Sequence, residues 1–172
     1  MTSVRAWLAL ALILPAAVWA QAGSAESDYG DVRRVDEAQV AVPEYPKSEN
    51  YLPLQVSATT TFTFFVDAKS VSVGKDGVVR YTLIARSAEG VLNVSFEGIR
   101  CTTRQYRVYA LGRSDNAWSE ARSSLWRPIP ADARNAQRTV LHTDYFCSKS
   151  RIIETTAEAV QALRSGPPKT AY

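Results

Sequence analysis

The sequence predicts an α+β fold: a mainly antiparallel, curved β-sheet of about five strands with one or two helices packed on it, tied by one disulfide. Three observations carry this reading. From about residue 54 onward, segments dense in Val, Phe, Tyr and Thr alternate apolar with polar residues at a period of two. Short glycine-containing turns separate them, which favours antiparallel neighbours over crossover connections. Near the C-terminus the pattern changes to a helical period with its own start and stop signals.

The run at residues 56–66 places Phe62, Phe64 and Val66 on one side of an extended chain. Residues 70–73 and 78–86 flank Gly74-Lys75-Asp76-Gly77, a tight hairpin turn. On the second arm Val79, Tyr81, Leu83 and Ala85 alternate with Arg80, Thr82 and Arg86, which predicts one apolar face and one wet, cationic face. Ala88-Glu89-Gly90 turns the chain into a third strand carrying Leu92, Val94 and Phe96. The apolar side then passes to Ile99 and Cys101, so a β-bulge is expected at Gly98. In residues 105–113, Tyr106, Val108 and Ala110 are expected inward, against Arg107, Tyr109, Leu111 and Arg113. Beyond Asp115 and Asn116 the alternation fades into a long loop anchored by Trp118 and Trp126. Residues 135–145 put Ala136, Val140, Leu141 and Tyr145 on one helical face; Thr139, Val140 and Thr143 would also suit a strand, and helix is the favoured reading. Thr155 and Glu158 form a capping box, Ala157, Val160, Ala162 and Leu163 follow, and Gly166 and Pro167 stop this last helix.

Ahead of the domain, Arg5, an apolar stretch at residues 6–18, then Trp19 and Ala20 have the order of a cleavable export signal, with cleavage expected after Ala20. The stretch is shorter than the roughly 20 residues of a membrane span and contains Pro15. The expected location is therefore the periplasm, with an extracellular destination as the alternative. Residues 21–50 read as an acidic, flexible arm with seven acids and three bases, whose prolines keep residues 43–53 extended along the domain. Residues 51–166 form one globular domain, with ten acids and sixteen bases from residue 51 to the end, and residues 167–172 are a tail. The chain's net charge is +3 and Arg5 is the one charge in the signal, so the exported protein carries +2. Cys101 and Cys147 are the two cysteines; in an oxidising compartment they are expected to pair.

The chain holds few residue sets suited to catalysis or metal binding. His142 is the one histidine, so any Ser-His-Asp or Cys-His mechanism must pass through it, and no G-x-S-x-G elbow is present. No metal site and no cofactor are expected from a single histidine, paired cysteines and unclustered carboxylates. Glu97, Asp115, Glu120 and Asp144 are the carboxylates from which a hydrolytic pair would have to come. Arginine stands above background: residues 100–138 hold eight arginines, no lysine and three acids, with Tyr109, Trp118 and Trp126 among them. Guanidinium forks suit carboxylates and phosphates and stack on rings. The candidate binding residues are Arg80, Arg86, Arg107, Tyr109, Arg113, Trp118, Trp126 and Arg127. An anionic envelope component or an envelope protein is the expected partner, and nucleic acid is disfavoured by the compartment.

Several blocks in fixed order, among them FFVD at residues 64–67, SVSVGKDGVVRYTL at 70–83, NVSFEGIRC at 93–101, YALGR at 109–113, WRPI at 126–129 and DYFC at 144–147, resemble the CNP-one-like family of exported proteobacterial proteins. The likeness spans about residues 40–165. It implies an envelope location and a shared Cys101–Cys147 pair, and it brings no activity, cofactor or catalytic residue. The functional expectation is a non-catalytic binding or accessory domain of the envelope; the alternative is an envelope hydrolase using His142 or a carboxylate pair.

Overall fold

The computed structural model describes residues 40–56, 60–130, 136–148 and 151–167. The expected export signal, and the acidic arm as far as residue 39, lie outside them. Among the described residues seven strands form one open antiparallel sheet: β1 (Tyr51–Leu54), β2 (Thr63–Val73), β3 (Val78–Arg86), β4 (Leu92–Arg100), β5 (Gln105–Gly112), β6 (Trp118–Glu120) and β7 (Arg127–Pro128). The first five follow one another as a meander, and the two short strands share the outer edge of β5, β6 beside its end and β7 beside its start. A separate pair, β8 (Cys147–Ser148) and β9 (Arg151–Ile152), precedes the last helix. The α+β class and the antiparallel sheet therefore stand, and Cys101 and Cys147 are bonded.

Three local expectations change. β1 forms where prolines suggested only an extended segment, because it is an edge strand and Pro53, exposed there, needs no ladder N–H. β2 starts at Thr63 instead of Val56 and runs on to Val73, with a register shift between Asp67 and Ser72. The expected hairpin follows it, with Gly77 at φ +69° and the Asp76 carboxylate accepting the Val78 N–H at 3.2 Å. No residue is inserted at Gly98: β3 and β4 stay in register from Val78–Arg100 to Arg86–Leu92. The irregularity lies in β5, where Tyr109 is the extra residue between the Glu97–Val108 and Phe96–Ala110 pairs. What looked like a phase slip is an exchange of faces, since Val94 and Phe96 are buried on one side of β4 and Ile99 on the other.

That exchange overturns the wet cationic face. Arg80 is 6% exposed, and Thr82 and Ile84 are 0% exposed, so β3 is buried on both sides. One face carries Phe64, Val66, Val79, Tyr81, Leu83 and Ile99 against the helices. These are α1 (Ala136–Val140), which runs directly into a π-helical turn at Leu141–Phe146, and α2 (Thr156–Ser165). The favoured helix at 135–145 is thus helical, but its wider second turn lets the adjacent pairs Leu141–His142 and Tyr145–Phe146 all face inward. α2 begins with the expected capping box, the Thr155 hydroxyl accepting the Glu158 N–H at 3.2 Å and the Glu158 carboxylate accepting the Thr155 N–H at 3.2 Å. It buries Ala159 and Leu163, four residues apart, while Ala157 is exposed.

Arg138 ties α1 to this face. Its Nε and Nη2 donate to the two oxygens of Glu97 at 2.8 and 2.7 Å, and its guanidinium lies 4.1 Å from the centre of the Tyr106 ring.

The opposite face is crossed by a strap, residues 43–50. Near β6 the Trp118 indole N–H donates to the Pro43 carbonyl at 2.9 Å. Over β5 the Tyr45 hydroxyl donates to the Arg113 carbonyl at 3.2 Å. A side chain at Gly112 would meet the Tyr45 hydroxyl and Val94 at 2.7 Å, so glycine lets the strap approach. The strap is not extended throughout as expected: Lys47 is extended, but Ser48–Asn50 form a single 3-10 turn closed by the Asn50 N–H donating to the Lys47 carbonyl at 3.0 Å; Val94, Phe96 and Ala110 are buried on this face.

Candidate functional site

The strap face carries a cationic–aromatic patch near the β2–β3 and β4–β5 turns. Antiparallel register sets Arg80, Gly98 and Arg107 in one row across three strands, with Val78, Arg100 and Gln105 in the next row. The extra residue in β5 turns Tyr109 onto the same face. Gly98 leaves room for its ring: a Cβ there would stand 2.8 Å from the Tyr109 hydroxyl. The guanidinium carbons of Arg80 and Arg107 lie 5.9 and 5.2 Å from the centre of that ring, and Arg100 stacks on Trp126 at 4.2 Å.

Arg80 and Arg107 are held by more than stacking. Arg80 Nη1 donates to Asp76 at 3.2 Å as part of a two-pronged ion pair. Burial opposes ionisation of Asp76, but the Arg80 fork and the Val78 N–H outweigh it and hold the carboxyl below its ordinary range. Arg107 Nε donates to the Ser124 hydroxyl at 2.9 Å, and that hydroxyl donates to the Val108 carbonyl at 2.8 Å, fixing the loop before β7 against β5. Asp76 is an acid set against Arg80 at this face, and Arg100 and Arg107 beside it are both half-buried. Ring stacking uses the flat face of a guanidinium, and the donor fork lies in its plane, the geometry that takes carboxylate or phosphate edge-on.

An aromatic ladder joins this patch to the strap. Ring centres run from Tyr109 to Phe96 at 5.4 Å, to Trp118 at 6.5 Å and to Tyr45 at 5.2 Å. Of the eight residues read from sequence, Arg80, Arg107, Tyr109 and Trp126 converge, and Trp118 belongs to the ladder. The other three stand apart. Arg86 is exposed at the far end of β3, stacked on Phe65 at 4.6 Å. Arg113 is exposed beyond β5, 3.6 Å from Asp115. Arg127, in register with Tyr106, is turned to the helix side. Arg100 was not singled out in sequence; the cross-strand register that the hairpins impose is the signal that would have found it.

The hydrolytic candidates do not converge. Glu97 is fully buried and held by Arg138, while Asp115, Glu120 and Asp144 are exposed on three different elements. His142 is 8% exposed, and among the described residues neither ring nitrogen finds a hydrogen-bond partner of ordinary geometry. Burial lowers its pKa; the nearby Cys101 carbonyl works against the shift and Arg104 adds to it. A cleft of about 640 Å³ runs between the π-helical turn and α2, lined among others by Asp144, Tyr145 and Glu158, and His142 does not line it. Among the described residues no three His, Cys, Asp or Glu side chains gather into a metal-binding group, and no helix is long and apolar enough to cross a membrane.

Comparison with known proteins adds a family. The profile described as CNP1-like family matches residues 31–164. Cryptic neisserial protein 1 of Neisseria gonorrhoeae is 33% identical over 95 residues, which cover 48% of this chain and 46% of that protein. The chain thus matches less than half the length of this relative. No solved structure matches the chain.

Proposed function

Because the chain belongs to the CNP1-like family, an uncharacterised one, we propose that it is a non-catalytic binding or accessory domain of the periplasmic cell envelope, taking an anionic ligand or an acidic protein surface on the Arg80–Arg100–Arg107 face. One observation carries the proposal: three guanidinium groups share one sheet face with the rings of Tyr109 and Trp126. Charges held by rings and register lose little freedom on binding, which favours recognition by a preformed surface. The alternative, an envelope hydrolase, finds less support, since His142 is buried away from the described clefts and the carboxylates are dispersed.

The test is capture of partners from envelope extract by the exported chain and by an Arg100→Ala/Arg107→Ala variant, Arg80 being spared for its bond to Asp76. Capture that weakens with rising salt and disappears in the variant is expected. Equal capture by both proteins refutes the reading.

A further inference from the structure

Where the strap reaches β2 it roofs a cleft of about 300 Å³, lined by Glu44, Lys47, Asn50, Asp67, Lys69 and Ser70 together with the strap's Pro43 and Tyr45. Its position follows from the irregularity in β2. At the register shift the Ser70 hydroxyl accepts the Thr82 N–H at 2.7 Å and donates to the Asp67 carbonyl at 2.8 Å, so a side chain bridges the place where the ladder is interrupted. Asp67, just before the shift, is directed under the strap and is 3% exposed.

Asp67 Oδ1, on a residue that lines the cleft, has no hydrogen-bond partner among the described residues; nor has the hydroxyl of Thr82, its cross-strand neighbour, which is 0% exposed and does not line the cleft. Buried polar atoms are nearly always paired, and an unpaired carboxylate oxygen bordering a cleft calls for a cationic donor. Burial, the largest influence on Asp67, raises its pKa against the opposing N–H groups of Lys69 and Ser70. The folded chain therefore binds a proton there more readily than the unfolded one, and ionised Asp67 at neutral pH costs stability. A ligand ammonium would offset that cost.

The rim has the opposite character. Lys47 and Lys69 are exposed at the edge, and Glu44 is the rim acid beside them. Ligand pockets run from roughly 300 to 1,000 Å³, so this one suits a single small molecule.

We propose that the cleft beneath the strap binds a small zwitterion of the amino-acid or dipeptide class, its ammonium on Asp67 Oδ1 and its carboxylate toward Lys47 and Lys69. The site shares no residue with the arginine patch, so it stands or falls independently of the envelope-binding function.

The experiment is calorimetric titration of the exported chain with the proteinogenic amino acids and their alanyl dipeptides, followed for each binder by its N-acetyl and methyl-ester derivatives. At least one zwitterion is expected to bind and to change Trp118 fluorescence through the strap. N-acetylation should abolish binding, and esterification should weaken it. Asp67→Asn should lower affinity about tenfold or more while the fold, read by circular dichroism, is kept. If that variant does not fold, Lys47→Ala/Lys69→Ala, which changes two exposed side chains, should weaken the zwitterion and leave its ester unaffected. Absence of binding by the whole panel overturns the proposal, as does unchanged affinity in a folded Asp67→Asn or in the double lysine variant.

Discussion

Replacing Arg138 by Met keeps an unbranched, flexible apolar stem and removes the guanidinium and its charge, which probes the role of the buried ion pair. Glu97 is 0% exposed and accepts four hydrogen bonds: two from Arg138 at 2.7 and 2.8 Å, one from the Ser95 hydroxyl at 2.6 Å and one from the Tyr81 hydroxyl at 3.4 Å. Burial, then the neighbouring Glu97 charge, pushes the Tyr81 phenol well above its ordinary pKa, so it stays a neutral donor. Arg138→Met removes both charge-assisted donors and leaves a buried carboxylate with two neutral ones. Breaking a buried pair in this way costs about 3–5 kcal/mol. Against a usual total of about 5–15 kcal/mol, that is a large share of the stability. Glu97→Met alone strands the guanidinium, and the double variant removes both charges, so the two losses should not add; a coupling of about 2–3 kcal/mol is expected. Urea denaturation of the four proteins measures this, through shifts of the midpoint at constant slope. An Arg138→Met protein within about 1 kcal/mol of the parent, or strictly additive losses, would refute the reasoning.

Two further outcomes follow from the same structure. Reducing Cys101–Cys147, bonded across a sequence separation of 46, should remove about 4 kcal/mol by the loop-entropy relation and lower the melting temperature by about 10 °C; identical melts with and without reductant would contradict it. His142 is kept neutral by burial, with a folded pKa below its unfolded value of about 6.5, so the unfolded chain takes up the proton first as pH falls. Its contribution is complete above that pH and is lost progressively below it. His142→Phe should flatten the fall in urea midpoint between about pH 7 and 5, and an unchanged slope would count against the buried neutral ring.

Much of the architecture was legible from the chain. The Gly74–Gly77 turn, the alternation in β3 and β4, and the Thr155–Glu158 box are local signals, because turn geometry, strand pleat and caps are set by residues a few positions apart. Where the reading failed, a distant segment had intervened. Arg80 and Thr82 read as a wet face because nothing within β3 reveals that Tyr109 and a strap far upstream in the chain will lie on that side; Arg86, at the far end of β3, is exposed as read. Gly98 read as a bulge because an apolar residue on a doubly buried strand carries no mark of which face buries it. The functional patch was half visible for the same reason: a count of arginines found the region, while register separated Arg80, Arg100 and Arg107 from Arg113 and Arg127.

The sequence by itself determined the fold class, the cysteines available for pairing, the turns and the terminal helix, all of which rest on periodicity and local chemistry. Only the tertiary structure decided that β3 is buried on both faces, that Glu97 and Arg138 are ion-paired, and that Asp67 borders a cleft under the strap. The reason is physical: pleat and turn are fixed by nearest neighbours, whereas burial and pairing are properties of surfaces that the chain brings together only when it folds.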